Sequence, residues 1–119
     1  MMEYKVSVII PTYNVENVIL RTVESVKNQS IGFENIELLI IDDGSNDNTQ
    51  KILKELSEEY ENIRCFLPKD NSGTPGRGRT MGIKNSTSEY IMFLDSDDKF
   101  SFEMCEVMHD TIKKPMLMQ

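Results

Sequence analysis

The chain has 119 residues and a formal net charge of −7, from 13 Lys+Arg against 20 Asp+Glu. That length suits one domain, large enough to bury a core without disulfides or a structural metal. The acidic balance excludes a protein that grips nucleic-acid phosphates regardless of sequence, and equally a basic membrane-surface helix.

With 39% apolar and 28% charged residues the composition is globular. No apolar run approaches the roughly 18 residues of a membrane span. Cys65 and Cys105 have no Cys or His partner at ligand spacing, so both are expected as buried free thiols in a reducing cytosol.

Residues 6–10 (VSVII) read as the first strand and run into Pro11-Thr12-Tyr13-Asn14. Val15, Val18, Ile19, Val23 and Val26 then recur at helical spacing, with Asn14 as the expected N-cap and Glu16 in the first turn. The second strand, 36–41 (IELLII), is nearly continuous in apolar residues, as a strand covered on both faces is. It ends in Asp42-Asp43-Gly44-Ser45. Ile52, Leu53, Leu56 and Tyr60 form the next helical stripe, behind Asp47 and Gln50 at capping-box spacing. The third strand, 63–67, leads into Lys69-Asp70-Asn71-Ser72-Gly73, and the fourth, 90–94, into Asp95-Ser96-Asp97-Asp98. Met104, Cys105, Met108 and Ile112 mark a last helix behind a Ser101 cap. His109 stands alone on that helix, where packing explains it better than catalysis.

Strand and helix alternate throughout. The expected fold is α/β and Rossmann-like, a mainly parallel sheet with right-handed crossovers and helices on both faces, residues 1–119 forming one unit. The first strand should be central, because the crossovers wind outward from it and then reverse. All four polar clusters then meet at one sheet edge, where ligands bind such folds.

Five carboxylates in two tight groups repel one another unless a cation or ligand offsets them. Asp95 and Asp97, two apart on extended backbone, point the same way. Their hard oxygens suit Mg²⁺ or Mn²⁺. An acidic turn favouring the positive end of the next helix is the plainer alternative. The quartet is no EF-hand, since Lys99 and Phe100 occupy the places of a ligand and the required Gly. Residues 69–84 hold four glycines (Gly73, Gly76, Gly78, Gly82) and four cations (Lys69, Arg77, Arg79, Lys84). Glycines admit close backbone approach to an anion, and a helix starting here aims N–H groups at phosphate. A flexible loop whose cations balance the acidic neighbours is the competing account. No G-x-G-x-x-G follows the first strand, and no P-loop occurs anywhere.

Taken together, the strings from VSVIIPTYN over 6–14, through Asp42-Asp43-Gly44-Ser45, to FLDSDD over 93–98 resemble the N-terminal half of family 2 glycosyltransferases, the inverting group with the GT-A fold. The resemblance implies transfer of a sugar from a nucleotide-diphosphate sugar, a UDP-sugar, to an acceptor hydroxyl with inversion. It implies that Tyr13 packs near the base, that Pro11 and Thr12 offer backbone contacts, and that Asp43 accepts the uracil N–H with Asp42 as a second participant. Arg79 then contacts phosphate and Asp95 meets ribose or sugar. Asp97 binds Mn²⁺ or Mg²⁺ through the diphosphate, with Asp98 as auxiliary. The implied partners are a nucleotide-sugar donor and a saccharide or lipid-linked acceptor in cell-envelope polysaccharide synthesis, and no nucleic acid. The implied location is cytoplasmic, peripheral at the inner membrane face for a longer protein, and an open sheet edge favours a homodimer.

The sequence departs from the family at Gly78, which replaces Ala, and Thr80, which replaces Asn, leaving donor selectivity open. The family's general base and acceptor pocket come from the segment after the D-x-D element, so the base is expected beyond Gln119. Glu103 and Glu106 read as a solvated helix face. The chain should therefore bind UDP with metal but transfer sugar poorly. Two rival readings are disfavoured by the first strand end. A phosphoacceptor receiver needs an acidic pair where Pro11-Thr12-Tyr13 stands, and a nucleotidyltransferase normally has a basic glycine-rich loop there. A nucleotidyltransferase and a non-catalytic nucleotide-binding module stay open as alternatives.

Overall fold

The computed structural model describes residues 4–74, 76–96 and 103–113. In chain order these form β1 (Val6–Thr12), α1 (Ile19–Lys27), β2 (Ile36–Asp42), α2 (Thr49–Glu59), β3 (Ile63–Phe66), α3 (Gly76–Asn85), β4 (Ile91–Phe93) and α4 (Met104–Lys113). A turn of 3-10 helix, Phe33–Asn35, leads into β2. The strands are all parallel, in the order β3-β2-β1-β4. The chain winds outward from β1 through β2 to β3, then returns to the other flank of β1. The reversal leaves a crevice outside the carboxyl ends of β1 and β4.

Strand periodicity assigns the two faces. Val6, Val8, Ile10, Leu38 and Ile40 pack with Ile19, Val23 and Val26 of α1, Leu53 and Leu56 of α2, and Cys105 of α4. The alternate residues Ile9, Leu39 and Ile41 meet Met81 of α3 on the opposite face. Covering on both sides is what made the strand sequences read as unbroken apolar runs. Helix α3 lies unusually near β1. A Cβ on Gly82 would run into the side chain of Ile9, and one on Gly78 would come within 3.0 Å of Pro11 Cβ. Two of the four glycines read as an anion-cradling loop are thus packing residues on a helix.

One buried carboxylate inside β2 was passed over in the apolar pattern. Glu37 is 2% exposed and lies opposite Ser7 in the β1–β2 register. It accepts hydrogen bonds from Ser7 Oγ (2.8 Å), Thr87 N–H (2.8 Å), Thr87 Oγ1 (3.1 Å) and Arg64 (3.2 Å). A buried charge is tolerable only with such a complete donor set. This cluster ties the amino ends of the strands together, at the edge opposite the crevice.

Several local expectations need correction. Asn14 does not cap α1, which starts at Ile19 behind Val18 and has no side-chain cap bond. Asp47 and Gln50 do not form a capping box. Asp47 Oδ1 accepts the Thr49 N–H at 2.9 Å, but Gln50 Nε2 donates instead to Asp42 Oδ2 and Pro68 O, each at 2.8 Å. Ser101 lies outside the described residues. Cys105 is a buried free thiol as expected, whereas Cys65 is free but only half-buried. Burial pushes both thiols up to about 12, with the Asp42 charge adding to the effect at Cys65, so neither is a nucleophile at neutral pH. His109 is buried and meets the Tyr90 ring edge-on at 5.0 Å. No helix among the described residues is long and apolar enough to cross a membrane.

Candidate functional site

The carboxyl end of β1 is joined to β2 by polar contacts that continue the strand pairing. Thr12 Oγ1 donates to Asp42 Oδ1 at 2.7 Å, directly across the register. Asp42 also receives the Ser45 N–H (2.7 Å), Ser45 Oγ (2.6 Å) and Gln50 Nε2 (2.8 Å). It is fully buried. Asp42 therefore lies beneath the loop with both oxygens taken, fastening β1, the β2–α2 loop and α2 to one another. It is not part of the cavity wall.

Asp43, one residue on, faces outward. Its N–H donates to Thr12 O at 2.9 Å, and its side chain turns towards the 70–77 segment. Ser72 Oγ donates to Oδ1 at 2.7 Å, the N–H groups of Ser72 and Gly73 approach at 3.1–3.2 Å, and Arg77 approaches Oδ1 at 2.7 Å. Burial alone would raise the Asp43 pKa. The donors from Ser72 and Gly73, followed by the Arg77 charge, outweigh it and hold the carboxyl below its ordinary 3.8. Gly44 makes this crossing possible. It adopts φ +72°, and a Cβ there would meet the Asp70 backbone at 2.5 Å.

Above this framework lies a cavity of about 550 Å³, within the range of small-molecule sites. Pro11, Thr12 and Tyr13 line one side, Asp43 and Asn71 the next, and Asp95 and Ser96 the far side. The structure thus gathers residues from all four predicted strand ends around a single hollow. Tyr13 is half exposed there. The β4 end is anchored by Leu94 N–H on Ile9 O (3.0 Å) and by Thr22 Oγ1 on Ser96 O (2.7 Å). Asp97 and Asp98 lie outside the described residues.

Arg79 is at the site but loosely placed, 3.9 Å from Asp95 Oδ1 and 46% exposed. Arg77, which the sequence offers only as one of four cations in the 69–84 segment, makes the closer contacts, to Asp43 and, at 2.9 Å, to Asp70. Helix phase explains both. Gly78 and Gly82, one turn apart, press α3 onto β1, so residues 77 and 79 flank the packed face. One reaches towards β2 and Asp43, the other towards β4 and Asp95. The i, i+4 glycine pair was the signal available in the sequence. Glu106 is engaged by Ser30 Oγ at 2.8 Å on an exposed helix face, away from the cavity.

A glycosyl transferase family 2 model matches residues 7–117. The minor teichoic acid biosynthesis protein GgaA of Bacillus subtilis (strain 168) is 46% identical over 107 residues, covering 87% of this chain and 24% of the relative. The poly(ribitol-phosphate) beta-N-acetylglucosaminyltransferase TarP of Staphylococcus aureus (strain N315) is 44% identical over 95 residues, 79% of this chain and 28% of that protein. Among solved structures, S. aureus TarS 1-349 in complex with UDP-GlcNAc superposes with a TM-score of 0.82 at 32% identity, covering 93% of this chain and 31% of that one. The fold is accordingly the GT-A Rossmann-like fold. The chain spans about a quarter or less of the length of the first curated relatives it matches.

Proposed function

Because the chain belongs to glycosyl transferase family 2, we propose that its cavity receives a nucleotide-diphosphate sugar, a UDP-sugar, for inverting transfer to an acceptor hydroxyl. The observation that carries this reading is Asp43, an ionised carboxylate on the wall of a hollow that also presents Tyr13 and Asp95. In this arrangement the Tyr13 ring packs on the base and Asp43 accepts a ring N–H. Pro11 and Thr12 offer backbone contacts, Asp95 meets ribose or sugar, and Arg79 meets the phosphates. Asp42 contributes from beneath, through the loop it fastens.

The donor set at the β4 end suits a divalent cation. Asp95, Asp97 and Asp98 are hard oxygen ligands of the kind Mn²⁺ or Mg²⁺ takes, and Asp95 is exposed at the cavity. Asp97 and Asp98 would hold such a cation, which would supply Lewis-acid stabilisation of charge on the departing nucleoside diphosphate, an effect worth several kcal/mol. The acceptor we assign is a cell-envelope saccharide or polyol-phosphate chain, supported by relatives named for teichoic acid work.

Titration calorimetry of UDP, with and without Mn²⁺, tests the reading. Binding tightened by the metal is expected, with Asp97→Asn abolishing the metal dependence. Asp43→Ala should cost about 1–3 kcal/mol of affinity for one lost charge-assisted hydrogen bond. Failure of UDP to bind under either condition refutes the assignment.

A further inference from the structure

Tyr13 stands between two pinned backbone positions. Before it, Thr12 O accepts the Asp43 N–H at 2.9 Å. After it, the Asn14 N–H donates to Ser45 Oγ at 2.8 Å, and Asn14 Oδ1 accepts the Asn46 N–H at 2.9 Å. Ser45 Oγ itself donates to the buried Asp42 carboxylate at 2.6 Å. A relay of hydrogen bonds therefore runs from Asp42 through Ser45 to Asn14. Asn14 holds φ +50°, the one left-handed non-glycine residue among those described. Such a conformation costs free energy and persists where surrounding contacts over-determine it. Here they span 31 and 32 residues of sequence, and the residue so fixed adjoins the half-exposed ring on the cavity wall.

We propose that Asn14, fastened to the β2–α2 loop by its own N–H and its side-chain oxygen, is a positioning residue that sets the Tyr13 ring over the cavity before a ligand arrives. The proposal rests on the nucleotide-binding reading for its consequence, since a ring held in place spares a nucleobase the entropy of ordering it. Asn14 reaches the ligand only through Tyr13. Asparagine suits the position because it tolerates the left-handed region and carries an acceptor at the length required. Alanine satisfies neither demand, glycine only the first, and aspartate both.

The experiment is a double-mutant cycle read by UDP titration in the presence of Mn²⁺. Asn14→Ala should weaken UDP binding about tenfold, Asn14→Gly by less, and Asn14→Asp by no more than about threefold. In a Tyr13→Ala background, Asn14→Ala should add less than a twofold further loss, because coupled residues are not additive. Equal losses in both backgrounds, or no loss from Asn14→Ala in a protein that binds UDP, overturn the proposal. A ligand-free readout keeps it separate from the nucleotide assignment. With fluorotyrosine incorporated, the Tyr13 ¹⁹F resonance, assigned by Tyr13→Phe, should move towards the free-amino-acid shift in Asn14→Ala and return in Asn14→Asp. An unmoved resonance refutes the positioning role even if UDP fails to bind. If wild-type protein fails to bind UDP while the resonance moves, the nucleotide reading falls and the positioning role stands.

Discussion

Arg77 sets one guanidinium nitrogen 2.7 Å from Asp43 Oδ1 and another 2.9 Å from Asp70 Oδ2. The guanidinium stays charged throughout the accessible pH range and reaches two acceptors at once, so lysine is no substitute. The Ser72 and Gly73 donors, joined by this guanidinium, outweigh burial and keep the folded Asp43 pKa below the 3.8 of a free side chain. The unfolded chain therefore binds the proton more readily than the folded one. Stability from Asp43 is fully present above about pH 4 and is lost as pH falls through the lower folded value. Asp47 acts in the same direction, because bonds from Thr49 and Glu16 outweigh its burial. Urea midpoints measured from pH 6 to pH 3 should hold level and then drop. Arg77→Ala should raise the Asp43 carboxyl pKa in a ¹³C NMR titration, and Arg77→Lys should restore only part of the difference. An Asp43 pKa unchanged by Arg77→Ala refutes the account.

The Glu37 cluster allows stability to be separated from ligand binding. Replacing Glu37 with Ala leaves Arg64, Ser7 and Thr87 without their shared acceptor. Breaking a buried ion pair costs about 3–5 kcal/mol, and the lower end applies because Arg64 is 40% exposed. Glu37→Gln keeps the shape and part of the hydrogen bonding, so it should lose less. Neither change should move UDP affinity, because the cluster lies at the far edge of the sheet from the cavity. Chemical denaturation and UDP titration on the same samples check both halves.

Gly82→Ala makes a local rule and a packing rule compete. Inside an exposed helix the change would gain roughly 0.5–1 kcal/mol. On α3 the new methyl group meets Ile9, which is fully buried in the sheet and has no room to retreat. Overpacking of that kind costs about 1–3 kcal/mol. The net expectation is a destabilised protein, read as a lower urea midpoint at unchanged slope. A more stable Gly82→Ala variant would mean that α3 does not lie so close to β1.

The strands were legible because their signal is local. Residues 6–10 and 36–41 were found as apolar runs, and the structure extends them to Thr12 and Asp42, polar residues that still pair across the register. The central place of β1 was legible from crossovers that wind outward and then reverse, while the full order β3-β2-β1-β4 comes from the structure. What could not be read was pairing at a distance. Asn14 looked like a helix cap, because asparagine before an apolar stripe usually is one, and its true partners Ser45 and Asn46 come 31 and 32 residues later. Glu37 was invisible for the same reason, its donors Ser7, Arg64 and Thr87 coming from three other segments. The acidic pair at 42–43 is legible in the sequence, but only folding separates its members, one fully buried beneath the loop and one on the cavity wall.

Arg79 offers a test that divides the cavity into its parts. Its contact with Asp95 is long, 3.9 Å, and both side chains are well exposed, at 46% and 65%. Pairs of that kind contribute about 0–1 kcal/mol, so Arg79→Ala should leave the urea midpoint almost unchanged. If Arg79 serves the phosphates, the loss appears only when phosphate is present. A charge-assisted hydrogen bond is worth about 1.5–3 kcal/mol, which corresponds to roughly a tenfold to hundredfold weaker dissociation constant for UDP. Uridine, with the same base and ribose, should bind the variant and the wild type alike. Tyr13→Ala should show the opposite pattern, weakening uridine and UDP by the same factor, because the ring meets only the base. A uniform loss from Arg79→Ala across both ligands would place that arginine at the nucleoside rather than the diphosphate.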